Sequence, residues 1–168
     1  MTRTIADINA LSREQFELVF RNVVEHCPEA ARYVETLRPF ATVEALKEGF
    51  DNYLDKIDIH EKKTILIRHP DLAGKLTETS LTTESQYEQK SAGVESMTSN
   101  ERQTLTTYNR LYKEKFQFPF VICARENKIK TILSSIQIRL RNTEDTELYQ
   151  GIQEVKKICK IRISDLVN

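Results

Sequence analysis

The sequence has little glycine, little proline and no net charge. Of its 168 residues, 4 are glycine and 4 are proline, while 25 Lys and Arg balance 25 Asp and Glu. Few of the residues that interrupt helices are therefore present. The balanced charge lacks the net basic character that drives general binding to nucleic acids. We expect no nucleic-acid partner.

Long apolar runs and paired cysteines are also missing. No run approaches the roughly 18 apolar residues of a membrane span, and the first residues, MTRTIADINALSREQ, show no apolar core of a secretory signal. The last residues, ISDLVN, carry no SKL-type peroxisomal tripeptide. Cys27, Cys123 and Cys159 are widely separated, which favours free thiols in a reducing compartment over a disulfide framework or zinc site. We expect no membrane partner and no secretion.

Apolar residues at helical spacing recur through most of the chain. Together with the length and 39% apolar content, they predict one all-α domain over residues 1–168 with about eight helices. The predicted helix starts are Ser12, Thr42, Thr82 and Ser99, each a residue type that caps helices. The helix after Ser12 is expected to continue through Val23 and Val24. Residues 118–124, FPFVICA, are predicted to form a strand or an extended buried segment.

Arg162 breaks an apolar pattern on the last predicted helix. It lies in the same stripe as Leu148, Ile152, Val155 and Cys159. An arginine there needs partners for its five N–H donors, or its head must reach water. One interpretation is a snorkelling arginine near a helix end. The other is a clamp for an anion or a carbonyl.

A second polar group, SQYEQ, spans residues 85–89. Ser85, Glu88 and Gln89 lie at positions i, i+3 and i+4, so they share one helix face. The face could simply be solvated. It could also offer a hydroxyl, a carboxylate and an amide to a urea-like or carboxamide group.

The stretch IRHPDLAG, residues 67–74, ends a predicted helix on a histidine before a proline. Pro70 fixes its own φ and disfavours helical geometry at His69, so the imidazole is held on a rigid corner. His69 could be an ordinary surface or structural residue, or a general acid or base. The sequence contains no HExxH, GxSxG, P-loop, GxGxxG or clustered His and Cys set. We therefore expect neither a bound metal nor a nucleotide.

Several segments occur together in a characteristic order. They are RPF (38–40), HPDLAG (69–74), LTTESQYEQKSAG (81–93), FQFPFVICAR (116–125) and EVKKICKIRI (154–163). With them, the sequence resembles the 2-oxo-4-hydroxy-4-carboxy-5-ureidoimidazoline (OHCU) decarboxylase family, over nearly the whole chain. The resemblance implies an all-helical, homodimeric enzyme without a cofactor. It also implies conversion of OHCU to (S)-allantoin and CO2 in urate degradation, in the cytoplasm or the peroxisome.

The resemblance also implies the site residues. His69, Glu88 and Arg162 match the catalytic positions. The implied substrate-binding positions are Pro70, Ser85, Gln86, Tyr87, Gln89, Phe120, Val121, Ile122, Cys123 and Ala124. One departure is Gln117, where the family usually has glycine. A second is the segment KLTETSLTTE, residues 75–84, which is slightly shorter than in close relatives.

Two other function classes stay open from the residues alone. An all-helical chain without metal or nucleotide motifs could be a protein-interaction module, with RHP and SQYEQ as surface residues. It could also be a related enzyme that acts on another ureide.

Overall fold

The structure is a computed structural model that describes residues 1–74 and 81–168. Residues 75–80, and with them most of the segment KLTETSLTTE, lie outside this description. The helices are α1 (Ile5–Ala10), α2 (Arg13–Phe20), α3 (Pro28–Glu35), α4 (Val43–Lys56), α5 (Ile59–Ile67), α6 (Thr83–Ser91), α7 (Ser99–Phe116), α8 (Ile129–Arg139) and α9 (Glu144–Leu166). Short 3-10 turns occupy Val94–Ser96 and Ala124–Glu126. The described residues contain no strand, only an isolated bridge between Arg3 and Val167, so the all-α prediction is confirmed.

The chain forms two compact units. The first comprises Met1–Ile65 and Lys156–Asn168, and the second comprises Leu66–Val155. Helices α5 and α9 each contribute residues to both units. Each unit is described by itself below, and the prediction of one domain stays a prediction. Among the described helices, none combines the length and the apolar character needed to cross a membrane.

Aromatic side chains fill the core of the first unit. The ring centroids of Phe16 and Phe20 lie 4.6 Å apart, and those of Phe20 and Phe50 lie 6.1 Å apart. Ser12 caps α2 as predicted, because its side chain accepts the N–H of Gln15. The helix nevertheless ends at Phe20, so its predicted extension is wrong. Val23 and Val24 are buried in the turns that follow, which means that burial rather than helical periodicity explains these two apolar residues.

The RPF motif holds the start of the first unit together. The side-chain amide of Asn9 donates to the Phe40 carbonyl at 2.8 Å and accepts the Phe40 N–H at 2.8 Å. Arg38 Nη1 donates to the carbonyl of Leu11 at 2.6 Å. Each contact satisfies a polar backbone group between or after helices. The motif therefore fixes α1, a short helix that the sequence analysis missed, against residues 38–40.

Helix α7 carries the aromatic core of the second unit. The ring of Tyr112 packs against Phe116, Phe118 and Phe120, with centroid distances of 4.6, 6.1 and 5.4 Å. The predicted cap of this helix is wrong by one residue, because Thr98 rather than Ser99 accepts the N–H of Glu101. Residues 118–123 are non-helical and buried, so the extended-segment alternative is confirmed and the strand alternative is wrong.

Gln117 has a backbone conformation that favours glycine. It ends α7 in the left-handed region, with φ 63° and ψ 19°, where a side chain clashes with the backbone and glycine does not. Its side chain partly compensates, because Nε2 donates to the Glu114 carbonyl at 2.8 Å. The turn is thus made by a non-glycine residue, which retains some backbone strain there.

We expect Gln117→Gly to raise the free energy of unfolding by about 0.5–1 kcal/mol, because the strain of a left-handed side-chain residue is removed. Gln103 is a matched control, since it is the same residue type, exposed, in the interior of the same helix. Gln103→Gly should lower stability by about 1 kcal/mol. Urea unfolding of both variants measures the two changes. A loss of stability in Gln117→Gly would contradict the explanation.

Candidate active site

The segment that follows α5, residues 69–73, is called the His69 corner here. The helix stops at Ile67, and the N–H of His69 donates to the Leu66 carbonyl at 3.1 Å. Pro70 accounts for this end, because proline disfavours helical geometry at the residue before it. His69 is only 7% exposed. The interpretation of His69 as a surface residue is therefore wrong, because this residue of the second unit is buried.

The three residues after Pro70 are held by the neighbouring helices. Gln89 on α6 accepts the Ala73 N–H at 3.3 Å through Oε1 and donates to the Asp71 carbonyl at 3.4 Å through Nε2. Asn109 on α7 donates to the Leu72 carbonyl at 2.9 Å. Ala73 adopts a left-handed conformation with φ 57°, which costs a non-glycine residue free energy. These contacts offset that cost and fix the corner.

Helix α6 turns two of the predicted polar residues inward. Thr82 caps it as predicted, because its hydroxyl accepts the N–H of Ser85 at 3.1 Å. Ser85 and Glu88 are buried, with Glu88 only 9% exposed. The interpretation of this face as solvated is therefore wrong for both. Gln86 and Tyr87 lie on the exposed side of the helix, with Tyr87 59% exposed, and their substrate-binding role stays a prediction.

Residues 118–124 are anchored through their backbone. Arg139 Nη1 donates to the Val121 carbonyl at 2.8 Å. The Cys123 N–H donates to Glu154 Oε1 at 3.2 Å, and the Cys123 carbonyl accepts Asn127 Nδ2 at 2.8 Å. Because buried backbone groups require partners, these contacts fix the course of the segment that includes Phe120–Ala124.

The segment also lies beside α6. The Arg125 guanidinium sits 5.3 Å from the centroid of the Tyr87 ring. Burial, followed by the negative charges of Glu126, Glu154 and Glu88, raises the pKa of the Cys123 thiol to about 11. The thiol is therefore protonated at neutral pH and unsuited to act as a nucleophile.

A buried ionic network around Glu147 holds residues 118–124 in place. Glu147 Oε1 accepts the Tyr112 hydroxyl at 2.6 Å and Arg139 Nε at 2.8 Å, and Glu147 Oε2 accepts Asn142 Nδ2 at 2.9 Å. The Arg139 guanidinium also lies 4.4 Å from the centroid of the Phe120 ring. Burial, followed by the hydrogen bond to Glu147, raises the pKa of Tyr112 well above its ordinary value. Tyr112 therefore acts as a fixed donor.

Arg162 belongs to the first unit and is 3% exposed. Its Nη2 lies 2.9 Å from Glu25 Oε2, and its Nη1 donates to the Asn22 carbonyl at 2.7 Å. The neighbouring Cys159 thiol donates to the Val23 carbonyl at 3.2 Å. The snorkelling interpretation is therefore wrong, because the guanidinium is buried and hydrogen-bonded within its unit.

The second unit thus contains every predicted site residue except Arg162. Gln89 links α6, which also carries Glu88, to the residues that follow His69. Asn109 was not among the predicted residues. It lies four residues after Leu105 on the buried face of α7 and so could have been found as a polar break in that face. Glu154 and Arg139 were not predicted either, because their partners are distant in sequence. Within residues 1–74 and 81–168, no three His, Cys, Asp or Glu side chains group as a metal site requires.

Comparisons with known proteins identify the family of the chain. The sequence model of the family described as OHCU decarboxylase matches residues 9–164. The chain is 42% identical over 160 residues to the OHCU decarboxylase of Xenopus laevis, covering 95% of this chain and 91% of the relative. It is 40% identical over 161 residues to the OHCU decarboxylase of Amia calva, covering 95% of this chain and 92% of the relative.

Two solved structures share the fold. The crystal structure of (S)-allantoin synthase matches with a TM-score of 0.81 at 19% identity, over 99% of this chain and 54% of that chain. The crystal structure of OHCU decarboxylase in the presence of (S)-allantoin matches with a TM-score of 0.70 at 22% identity, over 92% of this chain and 97% of that chain.

We expect Glu147→Gln to lower the free energy of unfolding by about 3–5 kcal/mol, because it leaves the Arg139 charge buried without its carboxylate. Tyr112→Phe should cost less, about 1.5–3 kcal/mol, since Glu147 keeps two other donors. Urea unfolding measures both. If the two variants lose the same stability, the ion pair is not the main contribution of this network.

Proposed function

Because the chain belongs to the OHCU decarboxylase family, we propose that it converts OHCU to (S)-allantoin and CO2 in urate degradation. The observation that carries the proposal is the family match over residues 9–164. The structure adds support, since His69, Ser85 and Glu88 are buried in one compact unit. Buried titratable groups in one region are typical of a site that controls proton transfer.

The substrate itself explains how the reaction can proceed. OHCU carries a carboxylate and a hydroxyl on the same ring carbon, next to an imine. When the bond to the carboxylate breaks, CO2 leaves and the imine accepts the electron pair. The enzyme must then orient this bond across the ring plane, stabilise the developing charge and deliver a proton to one face. Delivery to one face accounts for a single enantiomer of allantoin.

We assign His69 the role of general acid or base, acting on the substrate hydroxyl or on the proton of the ring carbon. An imidazole has an ordinary pKa near neutrality, and this one is held at a rigid corner. Glu88 would orient His69 or the ureido N–H groups. Its burial on the inner face of α6 supports this role, because a carboxylate there binds a charged or N–H partner strongly.

Ser85, Gln89 and the backbone near Val121 and Ile122 would bind the ureido and ring amide groups. A glutamine amide has two N–H donors and two acceptor positions. Gln89 can therefore hold the corner through one donor and one acceptor and present another to the substrate. The anchored backbone of residues 121–123 supports the same role, because fixed polar groups lose little entropy on binding.

Arg162 is assigned the binding of a substrate carbonyl or carboxylate, on the family resemblance alone. Charge-assisted hydrogen bonds from a guanidinium suit both groups. Glu25 and the Asn22 carbonyl hold the guanidinium in one orientation, which is compatible with this role.

The proposal is tested with OHCU generated freshly from urate, while circular dichroism follows (S)-allantoin. His69→Ala should lower kcat by roughly 100- to 10,000-fold, the range of a lost general acid or base, and Glu88→Ala should also lose most of the rate. His60 is a matched control, because it is an exposed histidine on α5, the helix that ends just before His69, and His60→Ala should keep the wild-type rate. Arg162→Ala should mainly raise KM if the contact of Arg162 with the substrate contributes the same free energy in the ground and transition states.

Near-normal turnover by a folded His69→Ala variant would remove His69 from the reaction. Absence of wild-type turnover would sink the proposed function itself. Thermal unfolding with saturating allantoin then separates the alternatives. A raised Tm without OHCU turnover indicates an enzyme for another ureide, because a ligand that binds the native state stabilises it. An unchanged Tm indicates a protein-interaction module.

The family resemblance also supports two finer proposals. We propose that the protein is a homodimer and that it acts in the cytoplasm or the peroxisome. Light scattering tests the first proposal, since a homodimer has twice the 19.6 kDa mass of the chain. A mass equal to that of one chain at micromolar concentration would contradict it.

A further inference from the structure

We propose that Asn109 is a positioning residue that fixes the imidazole of His69 through the chain after Pro70. This inference rests on the proposed role of His69 as general acid or base. It adds to the reaction a residue on α7 that would act without touching the substrate.

Asn109 occupies a place where an apolar side chain would be expected. It lies on the buried face of α7 between Leu105 and Tyr112 and is 7% exposed. Burying an amide is unfavourable unless it forms hydrogen bonds. Its Nδ2 donates to the Leu72 carbonyl at 2.9 Å, and this hydrogen bond is itself buried. The amide therefore ties α7 to one specific backbone group of the corner.

The corner is held on both sides of the imidazole. Before it, the N–H of His69 donates to the Leu66 carbonyl at the end of α5. After it, Pro70 has a fixed φ, and the Leu72 carbonyl accepts the Asn109 amide from α7 at 2.9 Å. Only two residues separate His69 from Leu72, so little freedom remains between the two anchors.

The conformation of Ala73 makes the hydrogen bond from Asn109 to the Leu72 carbonyl necessary. This left-handed conformation, with φ 57°, is strained for a residue with a side chain and persists only where the surroundings hold it. Gln89 binds the residues on either side of Leu72, Asp71 and Ala73, with longer distances of 3.3 and 3.4 Å. Asn109 supplies the shorter contact. Without it, the stretch can relax and carry His69 with it.

Asn109→Ala should therefore lower kcat roughly 10- to 100-fold with KM changed less than about twofold. A displacement of about 1 Å of a catalytic group can cost roughly 100-fold in rate, whereas Ser85 and the backbone near Val121 and Ile122, which are assigned to substrate binding, are not held by Asn109. Steady-state kinetics with fresh OHCU, well below the Tm of each variant, measures the split. Asn109→Ser is the second variant if the alanine form does not fold.

Leu105→Ala is the matched control for a purely structural effect. Leu105 lies one turn earlier on the same buried face of α7 and is fully buried, and its loss leaves a cavity that should lower the Tm by several degrees. The control should keep kcat close to the wild-type value despite this loss. If Asn109→Ala and Leu105→Ala lower kcat equally at equal loss of Tm, or if Asn109→Ala acts mainly on KM, the proposal is overturned.

A second measurement does not depend on turnover. The chain has 3 histidines, so the imidazole C–H resonances of His69 can be assigned by comparison with His69→Ala in protein with 13C-labelled histidine. Asn109→Ala should shift and broaden the His69 resonances and leave those of His26 and His60 unchanged. Unchanged His69 resonances would overturn the proposal. This result stands even if OHCU is not the substrate, because it reports the position of the ring alone.

Discussion

The second unit depends on one fully buried carboxylate, that of Glu147. A charge in an apolar interior is tolerated only when donors surround it, and three donors converge on Glu147 from Tyr112, Arg139 and Asn142. These donors come from α7, from α8 and from the turn after α8, while Glu147 lies on α9. The requirement to satisfy one charge therefore fixes three helices relative to each other.

The same requirement extends to the candidate site. Arg139 cannot turn away from Glu147 without leaving both charges unpaired, so its contact with the Val121 carbonyl is fixed as well. The helix that supplies Tyr112 also supplies Asn109, which binds the corner after His69. One rigid helix thus holds the His69 corner and the segment of residues 118–124 in a constant relation within their unit. Precise placement of this kind is what proton transfer requires.

Sequence reasoning succeeded where the signal is local. The caps at Ser12, Thr42 and Thr82, the helix end before Pro70 and the burial of FPFVICA all follow from neighbouring residues. It failed where a contact joins distant residues. The contact between Glu147 and Arg139 was not predicted, because nothing nearby in sequence shows that they meet. Val23 and Val24 were assigned to a helix because apolar spacing cannot distinguish a helix from a buried turn.

Arg139 and Arg162 show that burial and ion pairing alone do not identify the function of an arginine. Each guanidinium is buried, each forms an ion pair with a buried glutamate, and each donates through Nη1 to a backbone carbonyl. The family resemblance assigns a substrate role to Arg162 and none to Arg139. Local geometry does not separate these two roles, because a guanidinium that anchors a loop and one that binds a ligand both need fixed acceptors. The assignment of Arg162 therefore comes from its place in the motif EVKKICKIRI, whereas the function of Arg139 follows from its contacts alone.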